Sequence, residues 1–526
     1  MRQVVERNRI WGDLARPWDV LVIGGGITGA GIFREAARSG LRTLLVEQRD
    51  FAWGASGRSS SLVHGGLRYL FQGRFGLTRD AVRGREKLLA LEPGLVEPIG
   101  YLAPDYGRGK TNKAWHLAMR VALGLYDLFA GYWRHRYYSA DEFRMLAPGI
   151  DQRGLKGGFG WRDAQTDDAR LVWHVLQEGM AEGGVALNYV AADTLLRDAG
   201  QVTGAVLRDH IEERTAEVRA HVVINATGAW ADRLRTGASG REKMRPLRGS
   251  HLIFPGWRIP VAQAIAIYHP ADGRPVSVVP WEGCTRVGTT DLDHDLPLDQ
   301  EPRISPAEVA YLMAAVESLF PGIKLTLDDV VSTYAGIRPV IGTKGGDPSS
   351  ASRDYAIWEE DGLITITGGK LTTFHHAASD ILAIIRRRLP YELPDHQRRH
   401  TRSATRRPSR RLAGRYGNLA ARLLEEAQEG ELERVPGTET VWAELRWAAR
   451  TEMVVHLDDL LLRRTRLGQL LPRGGEALLP AIRLIIQQEL GWDDARWNAE
   501  AERYMALWRT CYSLSAPETI PDWRSI

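Results

Sequence analysis

No stretch of this chain restricts its fold more than Asp19 to Glu47, DVLVIGGGITGAGIFREAARSGLRTLLVE. It reads as a buried strand (Val20 to Ile23), a glycine turn, an alanine-rich helix and a second strand ending on an acid. Gly24, Gly26 and Gly29 spell G-x-G-x-x-G at the junction of strand and helix, the context in which the motif has mechanical meaning. The first glycine permits the tight turn, the second lets the backbone approach a pyrophosphate, and the third lets helix and strand pack closely. The helix N-terminus, with Thr28 in its first turn, offers unpaired N–H groups and a positive dipole end to phosphates. Glu47 is placed to accept hydrogen bonds from ribose hydroxyls. Strand, turn, helix and acid agree on a bound dinucleotide.

At 526 residues the chain exceeds one typical domain, so two or three units with a sizeable core are expected. It is 44% hydrophobic and 25% charged, a globular balance without low-complexity tracts. Cys284 and Cys511 are its only cysteines, so neither a disulfide framework nor a cysteine-rich metal site is expected, which suits a reducing cytosol. The opening residues, MRQVVERNRIWGDLARPWD, hold no apolar core of a secretory signal. No run approaches the length of apolar sequence that a spanning helix needs. A net charge of +4 is too small to argue for nucleic acid.

The spacing after the first unit favours flavin over nicotinamide. FAWGASGRSSSLVHGGLRYL, following Glu47, is a small-residue loop that can wrap an extended cofactor with backbone and hydroxyl donors, Ser59 and Ser60 among them. HVVINATGAW (221–230) is a buried strand ending in Ala226, Thr227 and Gly228. GLITITGGKLTTF (362–374) repeats the design: a strand, Gly368 and Gly369, then a helix from about Leu371. A helix N-terminus there can face the end of a flavin ring that becomes negative on reduction.

These segments bring a specific resemblance. IGGGITGAG (23–31), SSSLVHGGLRYL (59–70), DDARLV (167–172), NATGAW (225–230), GSHLIFP (249–255), VGTTD (287–291), TYAGIRPVI (333–341), SRDY (352–355), GGKLTTF (368–374) and LRRTRLG (462–468) resemble the respiratory, FAD-dependent glycerol-3-phosphate dehydrogenases of the D-amino-acid-oxidase-like superfamily. The resemblance implies an α/β fold: a Rossmann-like FAD-binding domain, an α+β substrate cap with an antiparallel sheet, and a C-terminal all-helical domain. It also implies hydride transfer from C2 of sn-glycerol 3-phosphate to FAD N5, giving dihydroxyacetone phosphate, with electrons passed to membrane quinone. An oxidase delivering electrons to oxygen, or a related hydroxy-acid or amine oxidoreductase, is the alternative. A flavoprotein kept only as a scaffold would have lost its pocket residues.

Such chemistry needs a base and enough positive charge to hold a phosphate dianion. Arg68, Arg338 and Arg353 each follow a motif that should bring them near the cofactor, and arginine can bind phosphate oxygens in a bidentate manner. Lysine is scarce, eight residues against 61 arginines, so Lys370 directly after Gly368 and Gly369 is unlike generic surface charge. By resemblance it lines the substrate pocket beside Arg338, where two cations can stabilise an alkoxide. His251, opening an apolar strand, is the expected base, with His64 its rival and an arginine–lysine pair a further alternative. The resemblance adds Tyr69 and Thr373 as substrate contacts, and His64, Gly65, Gly336, Leu371 and Thr372 as cofactor contacts. His375 and His376 fall too far into the helix to take part.

From Lys113 to Arg134 the polar side chains at 113, 116, 120, 127 and 134 share one narrow helical face, and the remainder is apolar. Such a helix suits a membrane interface, and equally a protein core. The family's monotopic habit favours the first, which implies a cytoplasmic protein peripheral on the inner face of the cell membrane. The expected division is a discontinuous FAD-binding domain (17–95, 155–245 and 330–385), a cap carrying the membrane-facing helix (96–154 and 246–329), a basic linker (386–411) and a helical domain (412–526). The linker reads as a solvated charge run, with anionic lipid as an alternative contact. The helical domain reads as a docking or dimerisation module, which leaves a homodimer open.

Overall fold

The strand expected at the start of the glycine motif forms at Trp18–Ile23 and lies inside a parallel layer. The computed structural model describes residues 2–107, 112–235, 243–342, 354–391 and 408–526. In the first sheet the strand order is Tyr355–Glu360, Leu363–Gly368, Arg214–Asn225, Trp18–Ile23, Thr43–Glu47 and Val185–Asn188. Along this path the pairings are parallel apart from the edge strand Tyr355–Glu360, and off it Gln201–Asp209 pairs antiparallel with both Val190–Asp198 and Arg214–Asn225. Val20 and Val22 face a core shared with the helices Ile27–Arg38, Asp168–Ala181 and Phe374–Arg388. Leu21 and Ile23 point the other way, into a cluster with Leu207 and Val218. The alternation of a strand buried on both faces accounts for its unbroken apolar run.

A second, ten-stranded sheet stands against this layer. Its central ladders join Met244–Pro255 to Cys284–Gly288, and Val96–Asp105 to Gly157–Thr166, both antiparallel. One short parallel contact, Ala264 and Ile265 with Tyr101 and Leu102, interrupts the antiparallel pattern. Three strands fall on the other side of the expected domain boundary. Gly157–Thr166 and Ser332–Ile341, read as parts of the flavin layer, pair here with Val96–Asp105 and Met244–Pro255, and Leu62–Val63 pairs with Gly157–Thr166. The reason is long-range register, which local periodicity does not encode.

The helical C-terminal region includes Trp442–Thr451, Leu479–Leu490 and Asp494–Cys511. Its core takes in Ile253, Trp281 and Tyr334 from the second sheet alongside Leu461, Tyr504 and Trp508. The expected linker lies outside the described residues over 392–407. The helix Asn112–Ala130 departs from its expected polar stripe: Asp127 is buried, accepting from the backbone N–H groups of Arg134 (2.6 Å) and His135 (2.9 Å). Met119, Leu123 and Tyr126 pack on the second sheet, while Leu117, Val121 and Leu128 are 65%, 56% and 65% exposed. No helix among the described residues is long and apolar enough to cross a membrane.

Candidate active site

The glycine turn is built as its spacing requires. Gly24 has φ +117°, and a Cβ there would lie 2.5 Å from the Ala226 carbonyl oxygen. A Cβ on Gly29 would collide with the Gly24 carbonyl oxygen, so this glycine sets the helix–strand contact. The Ile27 N–H donates to Ser56 Oγ at 2.9 Å. The Glu47 carboxylate accepts from the N–H groups of Gly25 (2.7 Å) and Arg49 (2.9 Å). A carboxylate offers about four lone-pair sites, so capacity remains for ribose hydroxyls. Burial raises the Glu47 pKa, and the Arg49 and Gly25 N–H groups oppose it.

The turn opens into a cavity of about 940 Å³. Gly24, Gly26, Thr28, Glu47, Ser59, Ser60 and His64 lie on its wall, as do Ala226, Thr227, Gly228, Gly336, Gly369, Leu371 and Thr372. Three strand-end turns distant in sequence therefore share one cavity. Gly29 and Gly65 stand behind the wall; the Gly65 N–H donates to the Tyr126 hydroxyl oxygen at 2.7 Å.

Cations gather around Tyr69. The Lys370 Nζ lies 3.8 Å from the centre of the Tyr69 ring and finds no hydrogen-bond acceptor among the described residues. Burial is the largest cause of its lowered pKa, which falls to about 8. Arg68 stacks on the same ring and donates to its hydroxyl at 3.2 Å. Arg338 crosses Gly249, where any side chain would collide with the guanidinium. It donates to Asp291 Oδ1 (2.8 Å), Thr289 Oγ1 (3.0 Å) and the Thr290 carbonyl (3.2 Å). Burial lowers the Arg338 pKa, Asp291 opposes this, and Arg68 adds to it. Arg68, Tyr69, Arg338 and Lys370 are all on the cavity wall.

Two further expected contacts stand off the wall, and one lies outside the described residues. His251 is buried behind it, stacked on Tyr334 with ring centres 4.5 Å apart. Its Nε2 meets Ser60 Oγ at 2.8 Å, and its Nδ1 has no partner among the described residues. Burial first, then Arg286 and Arg338, holds the His251 pKa well below the usual histidine value. Thr373 is buried under the Lys370 carbonyl, to which its hydroxyl donates at 3.4 Å. Arg353 lies outside the described residues. Glu92, His174 and Glu178 could together approach one metal ion, but His174 already meets Glu92 at 3.0 Å and Glu178 meets Arg34 and Arg38 at 2.8 Å.

Residues 19–383 match the family described as FAD dependent oxidoreductase, and residues 372–497 match the C-terminal domain of alpha-glycerophosphate oxidase. The aerobic glycerol-3-phosphate dehydrogenase of Staphylococcus aureus (strain USA300) is 33% identical over 487 residues, spanning 85% of this chain and 86% of the relative. The chain is a member of the FAD-dependent glycerol-3-phosphate dehydrogenase family. A solved structure of the glycerol-3-phosphate dehydrogenase from Bacillus halodurans, complexed with FAD, superposes with a TM-score of 0.75 at 28% identity, covering 96% of this chain and 97% of that one. Glycine oxidase from Geobacillus kaustophilus shares the fold alone, at a TM-score of 0.56 and 18% identity over 73% of this chain and 100% of its own.

As in the rest of this family, the cofactor is FAD, and the residues present fit it: the turn leaves no room for side chains, and Glu47 retains acceptor capacity. The sequence reading missed the groups that hold the cofactor loop. Asp168, Arg286 and Tyr334 bind Ser59 to Ser61, and Asp168 lies within the quoted DDARLV segment. Trp53 and Trp230, also on the wall, pair with ring centres 5.8 Å apart, and no spacing in the sequence signals it.

Proposed function

We propose that this chain oxidises the secondary alcohol of sn-glycerol 3-phosphate to dihydroxyacetone phosphate and passes the electrons to membrane quinone. The observation that carries the reading is the group of cations around Tyr69, at the cavity that the FAD-binding segments line. When bound, FAD supplies a two-electron acceptor beside that group. Arg68 and Arg338, with Arg353, hold the phosphate oxygens, for which the planar guanidinium fork is suited. Lys370 is near its titration point without ligand, and a phosphate dianion favours its charged form. Charged, Lys370 stabilises the developing alkoxide together with Arg338. Thr373 keeps the Lys370 backbone in place.

The proton of the reacting hydroxyl passes to His251 Nε2 through Ser60 Oγ, which lies on the wall. Burial, Arg286 and Arg338 keep His251 neutral, which leaves Nε2 free to accept but disfavours its protonated form, so the proton must move on to solvent. The exposed Leu117, Val121 and Leu128 face of Asn112–Ala130 seats the enzyme on the cytoplasmic side of the membrane. Phe71 and Tyr268 support an apolar acceptor: both are more than half exposed and both line the cavity.

Anaerobic titration tests the substrate. sn-Glycerol 3-phosphate should bleach the flavin band at about 450 nm while glycerol leaves it unchanged. Bound flavin that stays oxidised would remove the substrate assignment. Peroxide yield tests the acceptor: little peroxide with a quinone analogue present supports quinone, and stoichiometric peroxide that the analogue does not suppress moves the acceptor to oxygen.

A further inference from the structure

The LRRTRLG segment lies some four hundred positions after the loop that wraps the cavity, yet its last arginine reaches that loop. Arg466 sits just after the helical turn Asp459–Arg464, in the left-handed region at φ 64°. Glycine adopts that backbone at lower cost than any side-chain-bearing residue, so an arginine there is held by what its side chain binds. Its Nε donates to Asp167 Oδ1 at 2.9 Å, and one terminal nitrogen donates to the Gly57 and Leu462 carbonyls, both at 2.9 Å. The other terminal nitrogen meets Asp168 Oδ1. Asp168 turns its second oxygen to the cavity loop, accepting from the Ser59 N–H at 2.8 Å and the Ser59 hydroxyl at 2.6 Å. Ser59 Oγ in turn accepts from the Ser61 N–H at 2.9 Å, and Ser60 between them meets His251. Arg466, Asp167 and Asp168 are all buried, where an incomplete set of hydrogen bonds is costly.

We propose that Arg466 is a positioning residue for the cofactor: acting through Asp168, it fixes Ser59 and Ser60 against FAD. The C-terminal helical domain thereby sets the geometry of a site to which it contributes no wall residue. The proposal rests on FAD as cofactor and holds whichever alcohol the enzyme oxidises.

The test uses full-length holoenzyme carrying Arg466→Lys, Ser59→Ala, both together, or Arg446→Lys as control. Arg446 is paired with Glu431 and Glu489 within the same domain and has no bond to the loop. The readouts are the FAD dissociation constant, the fine structure of the flavin absorption band and the melting temperature. Arg466→Lys should weaken FAD binding by about tenfold and alter the band, and the double variant should be no weaker than the worse single variant. Arg446→Lys should lower the melting temperature while changing the FAD constant by less than about twofold. Equal FAD losses for Arg466→Lys and Arg446→Lys, or multiplicative effects of Arg466→Lys and Ser59→Ala, would overturn the proposal. Should Arg466→Lys fail to fold, Asp168→Asn decides: a weakened FAD constant supports the relay, and an unchanged one removes it.

Discussion

Two arginine-rich places in this molecule have opposite charge balance. Around Asp50, Arg463 donates to Asp50 (2.6 Å) and Asp458 (2.7 Å), and Arg464 donates to both oxygens of Asp50 (2.7 and 2.8 Å). Around Tyr69, Arg338 holds Asp291, but Lys370 Nζ has no acceptor among the described residues. The titration behaviour separates them too. Asp50 is lowered although burial pushes it up, and burial is likewise overcome in Arg463, which is raised well above the arginine value. In the neighbouring Asp459 burial and Asp50 outweigh Arg463, and its pKa is raised. In the cavity burial prevails, and Lys370 and Arg338 are both lowered. A balanced cluster stabilises its own charges and serves as scaffold. Around Tyr69 burial outweighs the counter-charges of Asp291 and Asp354 and keeps the cations poised for an anion from outside, so this balance marks a ligand site better than the number of cations does.

The largest test of this contrast removes the scaffold's anion. Asp50→Ala leaves Arg463 and Arg464 without a shared carboxylate and should cost about 3–5 kcal/mol in denaturant unfolding. A loss within the range of surface substitutions would show that the cluster is not stabilised by its balance. Next comes Lys370→Ala, which should lower turnover by about a hundred- to a thousandfold while flavin content, read by absorbance, stays intact. An unchanged rate would take Lys370 out of the site.

The pH dependence sharpens the same point. As pH rises through the Lys370 pKa of about 8, the free enzyme loses a positive charge, so kcat/KM for the phosphate ester should fall on the alkaline side. Lys370→Arg stays charged and should flatten that limb of the profile. The smallest effect concerns the surface. Leu117→Glu with Leu128→Glu changes exposed positions and should weaken vesicle binding by roughly threefold to tenfold. Turnover with a water-soluble acceptor should stay the same, and undiminished vesicle binding would dismiss this face.

The cofactor cradle was legible because its parts are contiguous: strand, turn, helix and acid are read off one stretch, and their spacing carries the geometry. The later turns at Ala226 and Gly369 were legible as repeats of that design, and both reach the same cavity. His251 shows where such reading stops. Its place at the head of an apolar strand was visible, but whether the ring faces the cavity or the layer behind it depends on the pairing of Met244–Pro255 with Ser332–Ile341. Asp127 makes the same point, since a polar residue on a helical stripe turned inward to serve backbone donors at 134 and 135.

By itself the sequence determined the dinucleotide turn, the flavin-like order of the three turns, and which residues could supply charge. Only the tertiary structure decided that Arg68 and Lys370 share Tyr69 with Arg338 on the same cavity wall, that the strands 157–166 and 332–341 join the second sheet, and that Arg466 reaches the Ser59 loop. Local periodicity records which face of an element is buried and says nothing of what lies opposite. Partners hundreds of positions apart are chosen by sheet register and buried charge pairing, and these exist only once the whole chain has closed.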